Sequence, residues 1–304
     1  MAPQPLVSVP VITYNSSKTV METLDSIYNQ TYPNLELIVS DDGSPDDTVE
    51  ICRNWMDVHK ERFVRTELLT VEKNTGVSAN MNRAEAACRG EWVKPIAGDD
   101  VLLENCIETY VDYVREHTDA VYVFAKVEAF GSESEKVNHF VNNIFYYSFF
   151  DLPISEQYKW MITKSSQPIP AATTFYHLGK SLALGISNDE RIPFLEDWPK
   201  WIRLLEKEIR FCFINKALVK YRISNTSICC GTTYNKEFNK SLALLYLYYQ
   251  YEPDKKYIGK LKAFYKYLYY KRIVADVWYW RLAYLIMWSL SSPKRLLKVL
   301  MNNK

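Results

Sequence analysis

Short β-branched apolar runs alternate along the chain with stretches whose apolar positions recur every three or four residues. Leu6-Val7-Ser8-Val9-Pro10-Val11-Ile12 reads as a buried strand ending in the turn-forming Thr13-Tyr14-Asn15-Ser16-Ser17. The spacing of Val20, Leu24 and Ile27 predicts a helix over about 18–29. Leu35 to Ser40 predicts a second strand, which runs into Asp41-Asp42-Gly43-Ser44, and a helix through Val49, Ile51, Trp55 and Met56. Leu68-Leu69-Thr70-Val71 predicts a third strand, 78–89 a third helix and Trp92–Ile96 a fourth strand.

Strands alternating with helices of this length predict right-handed βαβ units and a mainly parallel sheet covered on both faces. In such sheets ligands bind beyond the carboxyl ends of the strands. Thr13-Tyr14-Asn15, Asp41-Asp42 and Asp99-Asp100 each follow a predicted strand, so three segments are expected at one crevice. Beyond residue 101 the pattern is less regular. Val121–Phe124, Phe211–Ile214 and Ala217–Tyr221 read as strands, and the aromatic stretch 138–150 as a loop or helix lining a cleft.

A length of 304 residues suits one large α/β domain with an appendage, or two domains. The net charge of +1 conceals an asymmetry: residues 236–304 hold 14 Lys/Arg against 4 Asp/Glu, leaving 23 against 32 in 1–235. We therefore expect two regions with different partners, 1–235 and a basic, aromatic, helical region over 236–304, which has 11 of the 23 tyrosines. The apolar run Val274–Leu290 contains Asp276 and Arg281 and is at the short limit for a membrane span. Amphipathic helices on an anionic bilayer and helices packed on the preceding region are both open readings. No nucleic-acid motif is recognised, so no nucleic-acid partner is expected. Six cysteines without CxxC spacing suggest reduced thiols in a cytoplasmic setting. The first residues lack the charged and apolar regions of a signal peptide.

The candidate chemistry is acidic. Two adjacent carboxylates, Asp99-Asp100, repel one another and suit a hard cation, Mg²⁺ or Mn²⁺, which in turn suits a diphosphate. The alternative is that Asp100 caps a helix over 101–104. Asp41-Asp42-Gly43-Ser44 fits either a base contact made with Thr13 and Tyr14 or a capped turn. Gly76 allows close backbone approach to a ligand, or is a plain loop glycine. Arg83 reads as a phosphate contact or a solvated helix-face cation. Glu196-Asp197 opens a helix, as caps at its positive end or as reactive acids.

Taken in order, Val9–Asn15, Ile38–Ser44, Asn74–Asn80, Gly90-Glu91-Trp92-Val93, Gly98-Asp99-Asp100 and Glu196-Asp197-Trp198 resemble family 2 glycosyltransferases of the GT-A fold, over about residues 6–228. The resemblance implies a Rossmann-like α/β domain and an inverting, metal-dependent hexosyl- or N-acetylhexosaminyltransferase, with a UDP-sugar as expected donor. It implies a glycan or lipid-linked acceptor, and a cytoplasmic site at the inner face of the cell membrane. It assigns donor binding to Thr13, Tyr14, Asn15, Asp41, Asp42, Asn74, Gly76, Asn80 and Arg83, with Asp41 or Asp42 recognising the base and Arg83 a phosphate contact. The metal falls to Asp99 and Asp100, the ribose contact to Asp99 or Asp100 and a diphosphate contact to Arg222. Asp197 becomes general base and Glu196 its orienting or acceptor-binding partner. The chain departs from the family pattern with Ala97 where an earlier Asp is frequent and Ser224 where His is frequent. Two other readings stand beside this one: an inactive glycan- or membrane-binding module, and a sugar-nucleotide pyrophosphorylase. The latter would need a Gly-rich basic loop, where Thr13–Ser17 stands instead.

Overall fold

The computed structural model describes residues 4–131, 147–164, 168–223 and 236–250, with 267–268, 278–279 and 282. Its centre is a sheet of nine strands: β1 (Val7–Thr13), β2 (Leu35–Asp41), β3 (Arg65–Thr70), β4 (Trp92–Val93), β5 (Ile96–Ala97), β6 (Val101–Leu102), β7 (Tyr122–Phe130), β8 (Phe175–His177) and β9 (Phe211–Arg222). The order is β3-β2-β1-β4-β8-β7-β9-β6, with β5 also paired to β1. Five of the eight pairings are parallel, and β8 and β6 supply the antiparallel ones. The described helices are α1 (Val20–Tyr28), α2 (Thr48–His59), α3 (Val77–Ala87), α4 (Cys106–Glu116), α5 (Ile154–Thr163), α6 (Leu178–Ala183), α7 (Asp197–Glu206) and α8 (Lys236–Leu245), the last continued by a π-helical turn, Tyr246–Gln250.

Successive strand residues point to opposite faces, and the core divides accordingly. Trp92, Val123 and Ala125 join one cluster with Val20, Leu24 and Ile27 of α1. Val93, Tyr122 and Phe124 join the other with Trp201 of α7 and Leu242 and Leu245 of α8. Both faces are therefore covered, and β2 is buried along its whole length, Glu36 included. That buried carboxylate is compensated by Ser8, the Arg89 and Gly90 amides and an ion pair with Arg65.

Several boundaries differ from expectation. The fourth strand is broken into β4 and β5 at Lys94-Pro95, because proline has no N–H to give the ladder. The two late strands are one, β9, which runs through the exposed Asn215 and Lys216 with a register shift against β7. Asp100 caps no helix: Val101 and Leu102 are a strand paired with β9, and the next helix begins at Cys106. The stretch 132–146, Cys229-Cys230 and nearly all of the tail beyond 250 lie outside the described residues. Among the described residues no helix is long and apolar enough to cross a membrane.

Candidate active site

Thr13 and Asp41 face each other in the parallel register of β1 and β2, so the loops after both strands leave the sheet side by side. They are laced together. The Asp41 carboxylate accepts from Thr13 Oγ1 at 2.8 Å, from the Ser44 amide at 2.8 Å and from Ser44 Oγ at 2.6 Å. The Asn15 amide, at a left-handed φ of 54°, donates to Ser44 Oγ at 2.8 Å. Thr13 and Asp41 are buried, and their side chains are committed to each other. Tyr14 is 46% exposed on the loop that follows β1.

Asp42 holds the next wall. Its Oδ2 accepts from the Thr75 and Gly76 amides at 3.0 and 2.8 Å, and its Oδ1 from Thr75 Oγ1 at 2.5 Å and Arg83 Nη2 at 3.1 Å. Four bonds fill the acceptor capacity of a carboxylate. Arg83 also reaches Ser40 Oγ and Asn80 Oδ1, so its guanidinium lies against the crevice floor and not out in solvent. Asn80 Nδ2 donates to the Thr13 carbonyl at 3.3 Å. Asn74 stands exposed at the turn. Gly76 has φ 94° and ψ 159°, a region open essentially to glycine, and a Cβ there would lie 2.6 Å from Pro193 Cβ.

Asp99-Asp100 reach the same end of the sheet through β5, which pairs with β1 at Val11 and Ile12. The Gly98 amide donates to the Ile12 carbonyl at 2.9 Å, and a Cβ on Gly98 would lie 2.7 Å from Thr13 Cγ2. Asp100 is buried; its Oδ1 accepts from the Arg222 amide at 2.8 Å, a consequence of the β6–β9 pairing. The Arg222 guanidinium donates to the Asp99 carbonyl at 2.7 Å, pairs with Glu22 and lies 4.3 Å over the Phe130 ring. Burial raises both carboxyls above the usual range; the Asp99 charge pushes Asp100 further, while Arg222 opposes the rise at Asp99. Behind them Lys94 is fully buried, with Nζ bonded to the Pro95 and Ala172 carbonyls at 2.8 and 2.7 Å. Burial holds its ammonium down at about 8.

Two adjacent hard oxygen donors with poorly compensated charge fit a hard divalent cation. Among the described residues no group of three or more His, Cys, Asp or Glu is placed to hold an ion. Such a cation would therefore need further oxygens from a ligand and from water.

Glu196 and Asp197 stand at the start of α7, half-buried, after a loop that packs on α3. The Ser78 amide donates to the Pro193 carbonyl at 3.1 Å and Ser78 Oγ to the Ile192 carbonyl at 2.7 Å. The two acid pairs are thus linked through Gly98, Thr13, Asn80 and the Gly76–Pro193 contact. Asp197 Oδ1 accepts from the Trp198 amide at 2.6 Å. Burial first, then the Asp197 charge, raises the Glu196 carboxyl to about 8, and Lys200 partly offsets this. Lys200, one turn along α7, forms a buried pair with Glu85 at 2.7 Å that pins the helix to α3. Ser44, Thr75, Lys94 and Lys200 were not singled out from sequence. The first two lie inside the motifs quoted above, and Lys94 is visible only as a cation within an apolar run.

The family model described as glycosyl transferase family 2 matches residues 8–165. The chain is similar to glycosyltransferase GlyG of Streptococcus pneumoniae, 36% identical over 111 residues. That match spans about a third of either protein, 36% of this chain and 36% of the relative. Among solved structures it resembles residues 1–349 of S. aureus TarS in complex with UDP-GlcNAc (TM-score 0.60, 19% identity, covering 88% of this chain and 73% of that one). It also resembles the mannosyltransferase PcManGT of Pyrobaculum calidifontis in complex with GDP-Man and Mn²⁺ (TM-score 0.55, 17% identity, covering 98% and 84%). At these identities the likeness shows a shared fold.

Proposed function

The chain belongs to glycosyl transferase family 2, and we propose that it moves a sugar from a nucleoside-diphosphate sugar to a hydroxyl of a glycan or lipid-linked glycan, with inversion. The observation that supports this reading is that the loops carrying Tyr14, Asp42 and Asp99-Asp100 leave the carboxyl ends of β1, β2 and β5 together, while Pro193, in the loop before Glu196-Asp197, packs on Gly76 beside the Asp42 brace. A UDP-sugar is the expected donor, in keeping with the UDP-GlcNAc complex of TarS.

The nucleoside lies along the first three loops. Its base packs at the exposed Tyr14 ring and the Asn74-Thr75 turn, with Asn15 at the rim and Asp41, Asp42, Asn80 and Arg83 fixing the shape of that surface. Asp99 and Asp100 would hold Mn²⁺ or Mg²⁺, which when bound supplies Lewis-acid stabilisation of the departing diphosphate. Arg222 offers its guanidinium to a diphosphate oxygen by exchanging its surface partner Glu22 for the ligand. Asp197 accepts the proton of the acceptor hydroxyl as that oxygen attacks the anomeric carbon and the bond to the diphosphate breaks. Glu196, whose carboxyl is pushed up to about 8 by burial and then by the neighbouring Asp197, can hold a proton and donate a hydrogen bond to Asp197 or to the acceptor. The basic, aromatic tail suits an anionic lipid surface at the inner face of the membrane.

Thermal shift with UDP, GDP and their sugars tests donor binding. A ligand at 100 times its Kd stabilises the fold by about 2.7 kcal/mol, so a rise of several degrees is expected with Mn²⁺ and a smaller one with EDTA. No shift with any nucleotide in either condition contradicts the reading.

A further inference from the structure

The loop that delivers Glu196 and Asp197 is held by two parts of the chain. α3 supplies the Ser78 bonds above and Asn82, whose Oδ1 accepts from the Asn188 amide and from Asn188 Nδ2, both at 2.9 Å. The second set comes from α8 and the π-helical turn. Ser241 Oγ accepts from the Phe194 amide at 3.2 Å, two residues before Glu196. Tyr249 donates its hydroxyl to Asp189 Oδ2 at 2.7 Å, and the Arg191 guanidinium lies 4.4 Å over the Tyr248 ring. Asp189 also accepts from the Arg191 amide, Nε and Nη2 at 3.1, 2.9 and 2.7 Å. Burial alone would raise the Asp189 carboxyl, but the bonds from Arg191 and Tyr249 outweigh it and hold it at about 2.

Leu242 and Leu245 seat α8 in the second core cluster, so docking of the helix does not depend on these polar contacts. Hydrogen bonds to a loop add little buried area. What they fix is position.

We propose that residues 236–250 clamp the loop carrying Glu196 and Asp197, with Ser241 and Tyr249 as positioning residues for the transfer step. The inference rests on the reading of Glu196 and Asp197 as the reactive pair.

The test is Tyr249→Phe and Ser241→Ala, singly and together, in the full chain. Hydrogen exchange reports on the loop without needing turnover. Amides of residues 186–196 are expected to exchange roughly tenfold faster or more in the double variant, with α3 retaining wild-type protection. With UDP and Mn²⁺ as probe, stoichiometry and Kd should stay within about twofold of wild type. Turnover of UDP-N-acetylglucosamine, UDP-glucose or GDP-mannose should lose roughly tenfold or more in kcat at constant donor KM, since small misplacements of a reacting group are costly. Unchanged exchange overturns the clamp whatever the activity. A loosened loop with wild-type kcat overturns the positioning role, as does a kcat loss matched by lost UDP-binding sites. A wild type that turns over no donor, yet shows the loosened loop in the variants, refutes the transferase reading and leaves the clamp standing.

Discussion

Asp42→Ala is the most informative single change, because the structure gives Asp42 a structural load that a pure ligand contact would not carry. The carboxylate is 2% exposed and receives four bonds, from two backbone amides, a hydroxyl and the Arg83 guanidinium. Hydrogen bonds to a charged group contribute about 1.5–3 kcal/mol each, and removing one partner of a buried pair costs about 3–5 kcal/mol. These contributions overlap. The Arg83 side chain is 23% exposed, so its share is weakened by solvent screening. A net loss of about 3–5 kcal/mol is the working figure, and at about 2–4 °C per kcal/mol for a domain of this size Tm should fall by roughly 6–20 °C. The assay is thermal denaturation of the ligand-free protein, run beside UDP titration. Arg83→Ala and the double variant complete a cycle whose coupling should be about 1 kcal/mol or more. If Asp42→Ala lowers UDP affinity while the ligand-free Tm stays within about 2 °C, Asp42 is a ligand contact only and the bracing argument is wrong.

Gly76→Ala forces a side chain into a glycine-only backbone region and against Pro193. Strain of about 1–3 kcal/mol and displacement of the loop before Glu196 should lower Tm and reduce kcat by roughly tenfold or more; a variant with wild-type Tm and kcat would refute the close contact. Glu196 gives a pH signature. Its folded-state pKa of about 8 exceeds the ordinary carboxylate value, so the folded state binds the extra proton and stability falls as pH rises from about 4.5 to 8. Glu196→Gln mimics the protonated form at every pH, so its Tm relative to wild type should climb across that window. A flat difference from pH 4.5 to 8.5 contradicts the raised pKa.

How much of this was legible in the sequence differs by region. β1, α1, β2 and α2 were readable because their apolar periods, such as Val20, Leu24 and Ile27, coincide with the buried faces. The acid crevice was readable because parallel units deliver every strand end to one side. The interruption at Lys94-Pro95 was harder to place. A lysine in an apolar run becomes intelligible only through its bond to the Ala172 carbonyl, and that partner is remote in sequence. β8 has three residues and owes its existence to antiparallel pairing with β4 and β7, so local pattern carries little trace of it. The same limit applies to Asp41 and Asp42. Their composition suits a turn, a cap or a ligand site, and only partners such as Thr75 and Arg83 reveal the brace.

The central claim, sugar transfer with Asp197 as base, is tested most directly by nucleotide release from UDP-N-acetylglucosamine, UDP-glucose and GDP-mannose with Mn²⁺, comparing wild type, Asp197→Asn and Asp99→Ala. The account predicts release by the wild type from at least one donor. It predicts a loss of roughly 10²- to 10⁴-fold in Asp197→Asn with UDP binding nearly intact, and loss of both turnover and binding in Asp99→Ala. Release that survives in Asp197→Asn, or equal losses of UDP binding in the two variants, would contradict it.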